Sequence, residues 1–511
     1  MLNLHYAVAK KCVGFPSRKG GRANSRSAAA RPLMKRRLGS DASVSCMKKH
    51  LSSYGDSWPS YAVAMDHKNP IGGSAPPNEP DCIGITEFLG GKNFLITGGT
   101  GFLAKVIIEK ILRTTPAVGK IYVLIKAKDG EAALKRLQNE QLRGKDYHHF
   151  LARKLVAVVG NVREANMGIA PKQADEIAKE VDIVINSAVN TTFDERSECQ
   201  LKDIERQRSS WLFAPEITLM MQFSQEMKDL GIERARLHGW QDAYVFTKAM
   251  GEMVLDSMRG EIPVVTIRPS IIEGTWSDPI PGWIEGIRMI DPIMLYYAKG
   301  RLSGFPADGD GVVDVVPADM VVNATLAAVA KHAQAIGAAR EMHIYHVGSS
   351  TANPLMWHNM FTFFFQHFTR YPLSMAAGPP IKVAPMRLFD SMQQFNSNVE
   401  RDVLLWGAGE TLSPRARMLF TKYAEKITHL ARMYQPYSFY GCRGGAPLHP
   451  TRFDNTNTEA LFLEMLVEEK AQFHFDVRSI EWKEYFTNVH IRGFLKHVMK
   501  GSGTSSIVGN N

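Results

Sequence analysis

The apolar residues of this chain follow two rhythms. Between residues 93 and 189 they gather in short unbroken runs: Asn93–Thr97, "KIYVLIKAKDG" (120–130), "KLVAVVGNV" (Lys154–Val162) and "VDIVINSAV" (Val181–Val189). Runs this short, bounded by Gly, Asn and Asp, predict strands buried on both faces, and the stretches between them predict covering helices or loops. "PVVTIRPSIIEG" (Pro263–Gly274) and "EMHIYHVGSS" (Glu341–Ser350) repeat the strand pattern. Residues 291–316 read as a substrate-side loop, with a helix from Pro317 and another around Trp357–Phe368. Beyond Pro385 helical spacing dominates, as in "PRARMLFTKYAEKITHLARMY". The expected fold class is α/β: a Rossmann-like doubly wound parallel sheet with a small helical C-terminal domain. "MFTFFFQHF" (Met360–Phe368) is too short to cross a bilayer and reads as a buried helix.

The first strand runs straight into Thr97, Gly98, Gly99, Thr100 and Gly101, and then into a helix opening with Phe102, Leu103 and Ala104. Glycines permit the tight strand-to-helix turn and let backbone N–H groups approach a pyrophosphate at the helix N-terminus. Gly98, Gly101 and Ala104 keep the G-x-x-G-x-x-[GA] spacing, so a dinucleotide is expected here. At the end of the next strand Lys126 and Lys128 precede Asp129. A cation at that place suits the 2′-phosphate of NADPH better than the bare ribose of NAD; lysines that merely solubilise a strand end are the plainer account. Asn161 and the Asn186–Ser187–Ala188 run end later strands and should line the same crevice.

Tyr244 and Lys248 in "DAYVFTKAMGEM" stand four residues apart on a predicted helix and therefore share a face. A neighbouring ammonium favours the phenolate, so Lys248 is expected to lower the proton affinity of Tyr244 and ready it for acid–base work. The same lysine can bond the nicotinamide ribose. The spacing alone also describes a solvated helix pair. Its place, after the glycine turn and before a strand, favours catalysis.

Together these segments resemble the extended short-chain dehydrogenase/reductases. "LITGGTGFLAK", "INSAVNTTFDER", "YVFTKAMGE", "IRPSIIEGTW" and "GVVDVVPADMVVNATL" are similar to the alcohol-forming fatty acyl reductases. "FDNTNTEAL" and "FDVRSIEWKEYFTNVHIRG" resemble that family's tail domain, and the plastid-targeted plant branch is the most similar. The resemblance implies a long-chain acyl thioester, on coenzyme A or acyl carrier protein, taken by NADPH to a primary alcohol through an aldehyde. It implies pyrophosphate binding by Gly98, Gly101 and Ala104, proton transfer by Tyr244, and ribose contact by Lys248. It also implies a product used in pollen-wall, cuticle or wax lipid.

One departure stands out. The superfamily's third catalytic group is a Ser or Thr ending the strand before the Tyr helix. After "TTFDER" (191–196) this chain instead shows a largely charged stretch, with Ser209 and Ser210 beside a short "WLF" run as the only local hint. One central parallel strand is therefore missing from the pattern. Three readings follow: an active acyl reductase, a dinucleotide-binding relative or splice form without its catalytic hydroxyl, or another extended dehydrogenase such as a sugar epimerase. The tail motifs and "TTFDER" argue against the last.

Charge and cysteine content complete the outline. The net charge is +10, but residues 1–50 hold twelve Lys or Arg and one acid, and the remainder is close to neutral. A nucleic-acid partner is not expected. The Arg- and Ser-rich start resembles an organelle transit peptide in composition, followed by a Pro/Gly-rich linker. The expected organisation is residues 1–80 as transit peptide and linker, 85–385 as the NADPH-binding reductase domain, and 386–511 as the tail domain. The location expected is the plastid. The five scattered cysteines lack metal-ligand spacing and fit a reducing compartment. The tail stripe could wall an acyl tunnel or meet a bilayer surface at its periphery.

Overall fold

The computed structural model describes residues 4–8, 82–140, 153–188, 230–240, 242–260, 262–334, 342–374, 379–407, 414–439 and 453–499. Val189, "TTFDER", Ser209, Ser210 and most of the basic segment lie outside the described residues. The described residues belong to one unit, Met1–Cys12 with Pro80–Asn511.

Seven strands form the central sheet: β1 (Leu4–Val8), β2 (Phe94–Thr97), β3 (Ile121–Ile125), β4 (Leu155–Val159), β5 (Ile183–Asn186), β6 (Val264–Pro269) and β7 (His343–Val347). Their order is β7-β6-β1-β5-β2-β3-β4. Six of them run parallel, as the apolar runs predict. Phe94, Ile96, Val123, Ile125, Ile183 and Ile185 bury into the main core, while Leu95, Tyr122, Leu124 and Val158 bury into a second cluster on the other face. Residues of alternating direction are apolar because both faces are covered, each fully buried side chain contributing about 1.5–3 kcal/mol.

The place of the missing strand is filled. β1, from the extreme N-terminus, runs antiparallel between β5 and β6, with Ala7 opposite both Val184 and Val264 and Tyr6 opposite Ile185 and Val265. Without it, both neighbours would present rows of unpaired N–H and C=O groups inside the protein, where each costs as much as a lost hydrogen bond. β1 belongs to the segment 1–80 expected as transit peptide and linker.

Helices α1 (Phe102–Thr114), α2 (Gly130–Glu140), α3 (Pro171–Glu180), α4 (Ala243–Met258) and α5 (Ala318–Gln334) accompany the strands. α5 packs against α1 and β6, with Val321, Ala324, Leu326 and Ala328 fully buried. The segment expected as a substrate-side loop holds more order than its composition suggested. It contains the helix Asp291–Ala298 and short strands at Gly304–Pro306, Val312–Val313 and Val315–Pro317, each paired to a neighbour. The aromatic run forms α6 (Trp357–Arg370), with Met360, Phe361, Phe364 and Phe368 buried, as a core helix requires. No helix among the described residues is long and apolar enough to cross a membrane.

The tail contributes α7 (Met392–Gly407), α8 (Pro414–Ser438) and shorter helices to His497. In α8 the predicted stripe is core: Ile427, Leu430, Ala431 and Tyr434 are buried. The tail also closes on the start of the fold. Both Glu469 carboxylate oxygens accept backbone N–H groups, Ile85 at 2.6 Å and Thr86 at 2.8 Å, at the N-terminus of the helix Ile85–Leu89.

Candidate active site

The glycine turn adopts the geometry its residues demand. Gly98 has φ +68, and a Cβ there would sit 2.7 Å from the Ala188 backbone nitrogen at the tip of β5. A Cβ on Gly99 would collide with Val123 Cγ1 on β3. Gly101 caps α1 in an extended conformation, its N–H donating to Gly98 O at 2.8 Å. Thr97 ties the turn to β5: its hydroxyl donates to Asn186 Oδ1 at 2.6 Å and accepts from Ala188 N at 3.3 Å, while Ser187 N donates to Thr97 O at 3.3 Å. Thr97, Gly98, Gly99, Gly101, Asn186, Ser187 and Ala188 are thus brought together around one turn. We expect Gly98→Ala to weaken dinucleotide binding at least tenfold, because the added methyl meets backbone and takes up the space a pyrophosphate needs. Titration of cofactor fluorescence measures this.

Phe102, Leu103 and Ala104 turn their side chains inward. Phe102 packs edge-on against Trp283 with ring centroids 5.2 Å apart, and Leu103 and Ala104 are buried. What they offer a cofactor is the backbone of the first helical turn. Asn161 lies two residues beyond β4 in a tight loop, its side chain donating to Glu164 Oε1 at 2.9 Å.

Lys126 has a neighbour that the sequence reading missed. Arg136, on the second turn of α2, donates to the Lys126 carbonyl at 3.1 Å and to the Thr100 hydroxyl at 3.3 Å. A guanidinium therefore spans the gap between the glycine turn and the end of β3. Its sequence signal was weak, since an arginine beside Lys135 on an amphipathic helix reads as a solvated face.

Tyr244 and Lys248 form a second group, on α4. Asp242 caps this helix, accepting from Val245 N at 2.8 Å. Tyr244 is buried, and the Lys248 ammonium lies 5.7 Å from its ring centroid. Burial, and after it the Asp242 carboxylate, pushes the phenol well above its ordinary range. The expectation that Lys248 lowers it is therefore corrected: desolvation of the phenolate outweighs an ammonium placed over the ring face. A phenol in this setting holds its proton at neutral pH and can donate it.

A third constellation could not be seen in the sequence because its members are far apart. Glu273, Asp291 and His490 are fully buried and close enough to hold a cation. His490 Nδ1 faces the Gly274 N–H at 3.4 Å, which leaves the ring proton on Nε2, directed at Asp291 Oδ1 at 3.1 Å. Burial, and then the Asp291 carboxylate, holds the Glu273 carboxyl well above the usual range, so it keeps its proton. The trio ties the segments around Glu273 and Asp291 to the C-terminal helices that carry His490.

Two family models described as male sterility protein match the chain, one NAD-binding over residues 96–204 and 199–325, the other over 409–501. The chain is 42% identical over 515 residues to fatty acyl-CoA reductase 2, chloroplastic, of Arabidopsis thaliana, covering 84% of this chain and 82% of that protein. The chain belongs to the fatty acyl-CoA reductase family. It is 31% identical to the alcohol-forming fatty acyl-CoA reductase of Simmondsia chinensis, over 81% of this chain and 99% of the relative. Among solved structures, the terminal R domain of the myxalamid PKS-NRPS pathway matches with TM-score 0.51 at 15% identity, covering 81% of this chain and 92% of that one. That likeness shares the Rossmann-like reductase fold. Family membership makes this protein a reductase with a nicotinamide cofactor, and the glycine turn, which has room for no Cβ at Gly98 or Gly99, fits that cofactor's pyrophosphate.

Proposed function

We propose that this family member reduces a long-chain fatty acyl thioester, carried by coenzyme A or acyl carrier protein, to a primary alcohol in the plastid, with NADPH as reductant. The alcohol would serve pollen-wall, cuticle or wax lipid. Support for the location comes from the relative named chloroplastic and from the basic, Ser-rich start of the chain. The observation that carries the reading is the pairing of Tyr244 and Lys248 on one face of α4, in a chain whose glycine turn is built for a dinucleotide.

The residues have distinct tasks. Backbone N–H groups after Gly98 hold pyrophosphate. NADPH, when bound, would supply one hydride per half-reaction, so the four-electron thioester-to-alcohol conversion needs two NADPH, bound in turn. Tyr244 hands its proton to the former carbonyl oxygen as negative charge develops there, and Lys248 orients the ribose. Burial makes this donation effective, because an unscreened donor interacts more strongly with a developing oxyanion. The thiol of the carrier leaves in the first half-reaction, and the aldehyde is retained for the second.

The choice of NADPH rests on Arg136 and Lys126. A guanidinium beside the strand end recognises a phosphate bidentately. Arg136→Gln is expected to raise KM for NADPH about 10–100-fold and leave that for NADH within threefold, the loss of a charge-assisted bond being worth about 1.5–3 kcal/mol. Initial rates with both cofactors check this.

A second reading has its own observation. The strand filling the gap, Leu4–Val8, reads LHYAV and contains no Ser or Thr. On this reading the protein binds NADPH and turns nothing over. Supplying palmitoyl thioester and NADPH to the purified chain separates the two: fatty alcohol supports the first, cofactor binding without alcohol the second.

A further inference from the structure

α4 carries the proposed catalytic pair, yet of its sixteen residues only Ala243, Tyr244 and Glu252 are buried. Val245, Phe246, Ala249, Met250 and Leu255 are only half-buried, so directional bonds add to packing in fixing how the helix is turned about its axis. Two such bonded paths lead from α4 into the tail.

At the N-cap, the Tyr437 hydroxyl on α8 donates to Asp242 Oδ2 at 2.8 Å, while the other oxygen of that carboxylate holds the first turn through Val245 N. Farther along, Glu252 lies eight residues beyond Tyr244 and four beyond Lys248, so all three share a face. Its buried carboxylate takes a two-point grip from Arg268 on β6, Nε to Oε1 at 3.1 Å and Nη2 to Oε2. Arg268 Nη1 reaches His346 Nε2 on the neighbouring β7 at 3.4 Å. His346 Nδ1 then meets the Asp454 carbonyl, at the start of the tail's last helical stretch, at 3.1 Å. The directions agree along the path: arginine donates to both Glu252 and His346, and the imidazole passes its single N–H to the carbonyl.

We propose that the C-terminal domain is a positioning device for the Tyr244–Lys248 pair, gripping α4 at its cap through Tyr437 and, through the Asp454 carbonyl on His346, bracing the Arg268 that holds Glu252 on its third turn. Tyr437 and Glu252 are positioning residues; neither needs to touch substrate. A bidentate arginine–carboxylate pair fixes orientation as well as distance, and small misplacement of reacting groups lowers turnover by orders of magnitude.

The proposal rests on the reductase reading, and its test is arranged so that the two fail separately. In the full chain, Tyr437→Phe removes one hydroxyl and Glu252→Gln keeps the shape of the side chain while removing its charge. Each is expected to lower kcat about tenfold or more with KM for the thioester within twofold, and to weaken NADPH binding through Lys248. Combining Tyr437→Phe with Asp242→Asn should cost no more than the worse single change, since both cut one tie. Wild-type kcat in both folded variants, multiplying losses in the double variant, or a loss accounted for by unfolding on thermal melting would each overturn it. If the wild-type chain makes no alcohol, the reductase reading fails and NADPH affinity decides: weaker binding in Glu252→Gln and Tyr437→Phe supports the positioning role, and unchanged binding overturns it.

Discussion

Tyr244→Phe is expected to cut alcohol formation by about three orders of magnitude while leaving NADPH affinity within twofold. General acid–base groups typically contribute about 10²–10⁴ in rate, and this phenol is the proposed proton donor to the carbonyl oxygen. Phenylalanine keeps the ring that fills the buried site and removes only the acid. The environment of the phenol makes a second, directional claim. Burial and Asp242 raise its proton affinity, so the protonated, donating form persists as the pH rises through about 10, the ordinary tyrosine value. Turnover limited by this donor should therefore show no falling limb below that pH. Single-turnover rates for both proteins across the alkaline range measure both effects, and a Phe variant retaining a tenth of wild-type turnover would remove Tyr244 from its role.

Deleting residues 1–12 is expected to leave a protein that does not stay folded at 25 °C. β1 ladders with β5 on one side and β6 on the other. Ladder bonds are worth about 0.5–1.5 kcal/mol each net, and losing two whole ladders from a sheet interior approaches the ~5–15 kcal/mol that holds a domain together. Exposed edges then invite pairing between molecules. Tyr6→Pro is the gentler version: it takes one backbone donor from a central strand and should lower the melting temperature by at least ~10 °C, since proline is not tolerated there. A peptide of residues 1–12 added to the truncated chain should recover solubility. A truncated chain that is monodisperse and melts like the full one would show that β1 is dispensable.

The sequence made legible whatever depends on neighbours in the chain. The parallel strands were readable because burial on both faces leaves continuous apolar runs, as in Ile121–Ile125. The glycine turn was readable because its steric demand falls on consecutive residues. β1 was not: "LHYAV" is five residues in a basic segment, and its partners lie far along the chain. Arg136 was hidden because an exposed cation on an amphipathic helix looks the same whether or not it returns to a strand end. The Glu273–Asp291–His490 trio and the Tyr437–Asp242 bond were hidden for a third reason: each joins the reductase half to the tail, and helical or strand periodicity carries no information about such pairs. The effect of Lys248 on Tyr244 was misjudged because spacing gives proximity but not desolvation.

The antiparallel strand also sets an order of assembly. Leu4–Val8 leaves the ribosome well before its partners, and β6, one of the two strands that must flank it, is made some two hundred and fifty residues later. At roughly 5–20 residues per second this is a wait on the order of ten seconds or more. Until β6 is made that strand lacks one of its two partners, and any holding factor that shields an extended peptide would govern how many chains reach the native sheet.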